Sequence, residues 1–184
     1  MTAADFFARW RVRLGYLLAV VVLFVARPNF YSILLGAAVG FVGLIIRAYA
    51  AGYLHKQEVL TVTGPYARTR NPLYFGSSLL ALGAAIAMHS WIVAALLLLY
   101  FALVYSFVMR REENELRAKH GAAFDSYAAT VPLFFPSLSG PRQQSSPDAH
   151  FSWSQYKKNH EHQAALGFLL LLLLLVIIWR IHTA

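Results

Sequence analysis

The sequence predicts an all-α integral membrane protein, a helical bundle of about five transmembrane helices whose connectors gather a site on one membrane face. Three observations carry this. Of the 184 residues, 59% are hydrophobic and only 13% are Asp, Glu, Lys or Arg, against about 45–50% and about 25% in soluble domains. A soluble fold of this size cannot hide that much apolar surface. The apolar residues gather into five runs, at residues 14–26, 30–54, 73–88, 91–109 and 164–179. The net charge of +8 is spread unevenly between the connections. There are no cysteines, which excludes disulfide scaffolds, thiolate zinc sites and cysteine nucleophiles.

A helix needs about 20 residues to cross the hydrocarbon core. The second and fourth runs are long enough. The first, third and fifth must borrow flanking residues such as Trp10, Pro72 or Ile181. The first run, preceded by Arg9, Arg11 and Arg13, also has the layout of a secretory signal. No small-x-small cleavage site follows, and the chain turns at Arg27-Pro28-Asn29 straight into the next run, so it is read as a retained span. In the second run, Gly36, Gly40 and Gly43 predict tight helix packing, with a monomer or a weak homodimer as the assembly. Arg47, inside that run, is expected to snorkel or to pair with a glutamate. His89-Ser90 makes a tight helical hairpin between the third and fourth runs. Trp10, Trp91, Trp153 and Trp179 suit interfacial belts.

An N-terminus in the cytoplasm puts Arg9, Arg11, Arg13, Lys56, Arg68, Arg70, Arg110, Arg111, Arg117, Lys119, Arg142, Lys157 and Lys158 on the cytoplasmic side. The outside keeps Arg27 and Arg180. This is the bias of the positive-inside rule, and it accounts for the charge without nucleic acid. The basic residues flank spans and form no continuous stripe. His160-x-His162 is not read as a metal site, because i,i+2 residues do not share a helix face and no cysteine assists.

Two polar stretches, 55–72 and 110–163, lie on the same predicted face. The first ends in GPYARTRNPLYFG at residues 64–76. Gly64-Pro65 signals a turn. Pro72 suits the first turn of the third span, with Asn71 as its N-cap. A helix N-terminus beside Arg68 and Arg70, with Gly76 permitting close approach, makes a plausible anion site. The second stretch opens with Arg110, Arg111, Glu112 and Glu113, directly prolonging the fourth span. Carboxylates that close to hydrocarbon need partners or a ligand cation. Leu116, His120, Phe124, Tyr127 and Val131 recur at helical spacing and predict one amphipathic face. Glu113/Arg117 and Glu115/Lys119 are spaced as i,i+4 pairs. Val131-Pro132 and Phe135-Pro136 stop the helix, and residues 137–148 have the composition of a loose loop.

The stretch at 64–76, followed after a helical hairpin by REENELRAKHGAAFDSYAATVPLFFP, resembles the membrane methyltransferase family of isoprenylcysteine carboxyl methyltransferases and bacterial phospholipid N-methyltransferases. The likeness covers roughly residues 40–136 in order and spacing. Three positions depart from the family pattern: Asn71 stands where His is usual, His120 where Phe is, and Phe124 where the first spaced Tyr is. Asn71 can donate and accept hydrogen bonds but cannot relay a proton near neutral pH.

The resemblance implies S-adenosyl-L-methionine as cofactor and a lipid-like substrate reaching the site from the bilayer. It assigns the cofactor pocket to Gly64, Tyr66, Asn71, Tyr74, Gly76, Glu112 and Glu113. With the apolar runs, the chain is expected to divide into an N-terminal helix pair (1–54), a methyltransferase core (55–136), a loop and interfacial segment (137–163) and a last helix (164–184). For carboxyl methylation of a prenylcysteine-type acceptor, the leading expectation, Arg70, Arg110 and Arg111 would orient the carboxylate, with Glu113 beside them. An amine headgroup would instead need a proton acceptor such as Glu112, Glu113 or His120. Two rival readings are an NADPH-dependent sterol-type reductase, which shares parts of this core, and a non-catalytic membrane interaction protein.

Overall fold

The computed structural model describes residues 3–55, 59–137 and 150–183. The loop expected at 137–148 lies outside these residues except for Ser137, as do Lys56 and Arg142. The described chain is helical, with no strand: α1 (Ala3–Val25), α2 (Phe30–Tyr53), a 3-10 turn (Gly64–Ala67), α3 (Pro72–Met88), α4 (Trp91–Tyr100), a π segment (Phe101–Tyr105), α5 (Ser106–His120), α6 (Ala122–Thr130), α7 (Trp153–Lys158) and α8 (His162–Thr183). Helix α1 starts well before residue 14, where the apolar run begins, because hydrogen bonding continues through its charged first turns.

Three stretches are long and apolar enough to cross a membrane: Phe30–Tyr53, His162–Thr183, and Trp91–His120, which is continuous through the π segment. Arg13–Val25 and Pro72–Met88 are shorter apolar helices. The 30-residue helix Trp91–His120 is about 45 Å long at 1.5 Å per residue, against a hydrocarbon core of about 30 Å. Its charged end therefore projects beyond the apolar layer, as the sequence implies. The π segment was not expected. It widens one turn, and the Ser106 hydroxyl donates to the carbonyls of Ala102 and Leu103 at 2.6 and 3.1 Å.

Helices α2 and α3 form the central seam, and glycine makes it possible. A Cβ on Gly83 would lie 2.6 Å from the Gly36 carbonyl oxygen, and one on Gly43 would lie 2.6 Å from that of Gly76. The small-residue stripe is thus used inside the chain, and the dimer contact weighed from sequence has its surface occupied by α3. Gly40 and Gly52 are covered by the rings of Phe168 and Phe151. Helix α2 begins with a capping box: Ser32 N donates to Asn29 Oδ1 (2.9 Å) and Asn29 N to Ser32 Oγ (3.0 Å).

The bundle has two distinct ends. At one, Arg27 N donates to the Met88 carbonyl at 2.8 Å, and the Phe30 and Trp179 rings meet at 5.9 Å. There Val22, Ala26, Ala87, Met88, Val93 and Leu175 form an apolar core. The other end collects the 59–72 connector, α5–α7 and the start of α8. Gly121, at φ +51°, separates α5 from α6. This corrects the single amphipathic face expected from sequence: beyond the break Phe124, Tyr127 and Val131 are buried, whereas Leu116 is exposed. The buried trio packs against Leu60, Val62 and Ala128, so α6 closes over the connector.

Candidate functional site

The two motif stretches meet at this polar end and are stitched together by main-chain contacts. Arg70 N donates to the Pro132 carbonyl (2.9 Å) and Ser137 N to that of Arg68 (2.8 Å). Thr69, nearly inaccessible, donates from its hydroxyl to the Phe134 carbonyl at 2.8 Å. Gly64 turns the chain at φ +59° with the Tyr53 ring against it, where a Cβ would lie 2.6 Å from Tyr53 Cδ1. Tyr66 is buried beneath α6, and the Tyr127 hydroxyl donates to its carbonyl at 2.7 Å. Burial raises the pKa of both phenols well above the ordinary range; for Tyr127 the nearby Arg70 works against this. Both therefore stay neutral hydroxyls near pH 7.

Asn71 occupies the N-cap position of α3, but its side chain does not cap the helix. Its amide instead donates to the Leu133 carbonyl at 3.0 Å, because the 131–137 segment lies alongside and offers an acceptor. Pro72 takes the first turn of α3, as its missing N–H predicts.

Charge gathers on the next turn. Arg70 Nη2 approaches Glu113 Oε1 at 2.8 Å, with the two side chains only 15% and 19% exposed. Arg70 Nη1 donates to the Ala128 carbonyl at 2.8 Å. The ion pair is close but not aligned as a hydrogen bond. Arg70 Nε and Glu113 Oε1 are buried and lack a hydrogen-bond partner among the described residues. Next to them the Tyr74 hydroxyl donates to Glu112 Oε1 at 2.7 Å. The Tyr74 ring meets Tyr105 edge-on at 5.1 Å, Phe101 stacks on Tyr105 at 4.4 Å, and Phe134 adjoins both Phe75 and Phe101. The π segment supplies Phe101 and Tyr105 to this aromatic wall, and π turns frequently mark functional sites.

The structure thus gathers Arg70, Asn71, Tyr74, Glu112 and Glu113, with Tyr66 and Gly64 in the adjoining turn. Three other expected residues are placed differently. Gly76 lies in the α2–α3 seam, and the close approach it permits is that of Arg47, whose Cγ would lie 2.6 Å from a Cβ there. Arg110 is exposed. Arg111 donates to Glu115 one turn on at 2.8 Å, because their side of α5 faces outward. The i,i+4 pairs read from sequence are replaced accordingly: Glu113 turns in to Arg70, Glu115 pairs with Arg111, and Arg117 pairs with Asp125 on α6 at 2.7 Å. Sequence reasoning missed Thr69 and the π-segment rings. It anticipated a glutamate partner for Arg47 without finding which one, and Glu161 is that partner.

A buried guanidinium nitrogen without a hydrogen-bond partner, beside a carboxylate at the start of α3, suits a group carrying both an anion and a cation. An amino-acid zwitterion is such a group, and the donor set fits the methionyl part of S-adenosylmethionine.

Residues 10–123, well over half of the chain, match the phospholipid methyltransferase family. Over 119 residues the chain is 37% identical to a nickel-cobalt-cadmium resistance protein of Alcaligenes xylosoxydans xylosoxydans, covering 64% of this chain and 54% of that protein. Over 121 residues it is 38% identical to a cobalt-zinc-cadmium resistance protein of Cupriavidus metallidurans, covering 65% and 54%. The chain spans about half the length of these curated relatives. No solved structure matches it. The matched span includes both GPYARTRNPLYFG and the Arg110–Glu115 segment that the fold brings together, and the chain belongs to the phospholipid methyltransferase family.

Proposed function

We propose that this chain is an S-adenosylmethionine-dependent methyltransferase that modifies a lipid-like substrate at the polar end of the bundle. The single observation that carries the reading is the mostly buried Arg70–Glu113 ion pair, in which Arg70 Nε has no hydrogen-bond partner among the described residues. It is built from two motif stretches far apart in sequence. Arg70 and the start of α3 would hold the cofactor carboxylate, and Glu113 its ammonium, while Tyr74 and Glu112 would bound the remainder. When bound, the cofactor supplies an electrophilic methyl on a sulfonium. What the protein must add is alignment of the acceptor with that methyl and exclusion of competing water. The aromatic wall of Tyr74, Phe101, Tyr105 and Phe134 is suited to both tasks.

The residue placement favours an amine headgroup as acceptor. Two carboxylates are gathered at the site, and with Glu113 on the cofactor, Glu112 would take the proton an ammonium must lose before it attacks. Of the three arginines expected to orient a carboxylate acceptor, Arg110 and Arg111 lie on the outer side of α5. Carboxyl methylation of a prenylcysteine-type acceptor is the second reading, in which the Arg70 Nε would face the acceptor and not the cofactor. We infer that this end faces the cytoplasm. It bears Arg68, Arg70, Arg110, Arg111, Arg117, Lys119, Lys157 and Lys158, whereas Arg27 and Arg180 lie at the opposite end.

The test supplies methyl-labelled S-adenosylmethionine to purified protein in lipid, with an amine-headgroup lipid and a prenylcysteine acceptor in parallel. Base-stable label in the lipid establishes N-methylation. Label released by base as methanol establishes an ester. Transfer to neither, together with no binding of S-adenosylhomocysteine, overturns the methyltransferase reading. The relatives' names point to cells grown with cobalt or cadmium as the place to look for the product.

A further inference from the structure

We propose that Glu161, on the turn between α7 and α8 and outside the family-matched region, is a positioning residue for this site, acting through Arg47 on the first turn of α3; this rests on the site reading above. Arg47 and Glu161 are 114 residues apart and form a two-pronged pair, Nε to Oε2 at 2.9 Å and Nη2 to Oε1 at 2.8 Å. Glu161 is only 9% exposed. The remaining nitrogen of Arg47, Nη1, donates to Ser77 Oγ and, at 3.4 Å, to the Leu73 carbonyl. Ser77 Oγ itself donates to the Leu73 carbonyl at 2.9 Å. The guanidinium therefore lies across residues 73–77, and Gly76 leaves room for its stem. Tyr74 stands on that same turn, and its hydroxyl meets Glu112 at 2.7 Å.

The turn that carries Glu161 is itself held in place. Asn159 Nδ2 donates to the carbonyls of Ala51 and Leu54 at 2.8 and 3.0 Å. His160 takes a left-handed φ of +57°, a conformation that persists in a non-glycine residue when its surroundings enforce it. The charges of Arg47 and Glu161 act on the Tyr66 phenol, so the pair lies within electrostatic reach of the first motif stretch. A buried ion pair is a poor way to gain stability, since apolar residues of similar volume hold helices as well. What apolar residues cannot supply is direction. The fork of Glu161 fixes the guanidinium plane, and that plane sets where Nη1 meets the start of α3.

The test uses the full chain in lipid nanodiscs, with 3-fluorotyrosine at position 74 read by fluorine NMR and S-adenosylhomocysteine binding measured alongside. Glu161→Gln and the double variant Arg47→Met/Glu161→Met are compared with Glu112→Leu, which marks the resonance of a Tyr74 that has lost the Glu112 acceptor. Both variants are expected to move the Tyr74 resonance toward that marker and to weaken S-adenosylhomocysteine about tenfold. The double variant is expected to unfold at the wild-type temperature. A folded double variant with the wild-type Tyr74 resonance and unchanged affinity would overturn the proposal and leave Glu161 as a helix staple. If the wild type itself binds no S-adenosylhomocysteine, the functional reading fails, and the Tyr74 resonance still decides the role of Glu161.

Discussion

Replacing Arg70 by methionine separates structural from functional use of the buried pair. The substitution leaves Glu113 as an uncompensated carboxylate and the Ala128 carbonyl without its donor. Breaking a buried pair costs about 3–5 kcal/mol. The low end applies here, because 15% and 19% of the two side chains remain exposed. The stranded carbonyl adds about 1 kcal/mol, so Arg70→Met is expected to lose about 4 kcal/mol. The double variant Arg70→Met/Glu113→Leu removes both charges and keeps apolar volume. It is expected to recover all but about 1 kcal/mol, the part owed to Ala128. Equilibrium unfolding in mixed micelles reads the stabilities, and S-adenosylhomocysteine binding reads the site. The double variant should fold and not bind. A double variant as unstable as the single one refutes the desolvation argument. One that recovers stability and binds as wild type does refutes the placement of the cofactor.

Gly83→Ala is expected to cost about 1–3 kcal/mol, since its Cβ would lie 2.6–2.8 Å from backbone atoms of Gly36 and Gly40 that no rotamer change can move; thermal unfolding in detergent checks this. Tyr127→Phe removes the bond to the Tyr66 carbonyl and should cost about 1 kcal/mol at neutral pH. The same variant should change the alkaline limb of the stability profile. Burial holds the Tyr127 phenol above its ordinary value, so above about pH 10 the unfolded chain releases a proton that the folded chain keeps, and stability falls as pH rises. Unfolding measured from pH 8 to 11 should show a shallower fall for Tyr127→Phe than for wild type.

The parts of this fold that were legible in the sequence are those fixed by neighbours a few residues apart. Length and hydropathy mark α2 and the start of α4, and Pro72 marks the first turn of α3, because these are local requirements of a helix in an apolar solvent. The glycine stripe of α2 announces close packing but not its partner. Gly83, Gly76 and Ala87 are spaced on α3 to receive it, and only the fold shows that they do. The break at Gly121 was hidden by a hydrophobic spacing that continues across it. That spacing is satisfied by two helices sharing a core as readily as by one. The π segment has no signature in its composition, since Phe101–Tyr105 continues the apolar run of α4 without a break.

The site divides along the same line. Residue types announce that partners are needed, because a carboxylate at a membrane exit and an arginine beside a helix start cannot stand alone. Which partner each takes depends on the 131–137 segment. That segment occupies the main chain of Arg68 and Arg70 through Ser137 and Pro132, and draws the Asn71 side chain away from capping toward Leu133. Asn71 is where this matters most. At the N-cap of α3 its amide would have been one more local contact of the helix. Committed to Leu133, it joins the two motif stretches directly. The shorter side chain that departs from the family pattern therefore ties the 131–137 segment to the start of α3, and on the amine reading proposed above the proton acceptor would be a glutamate of α5.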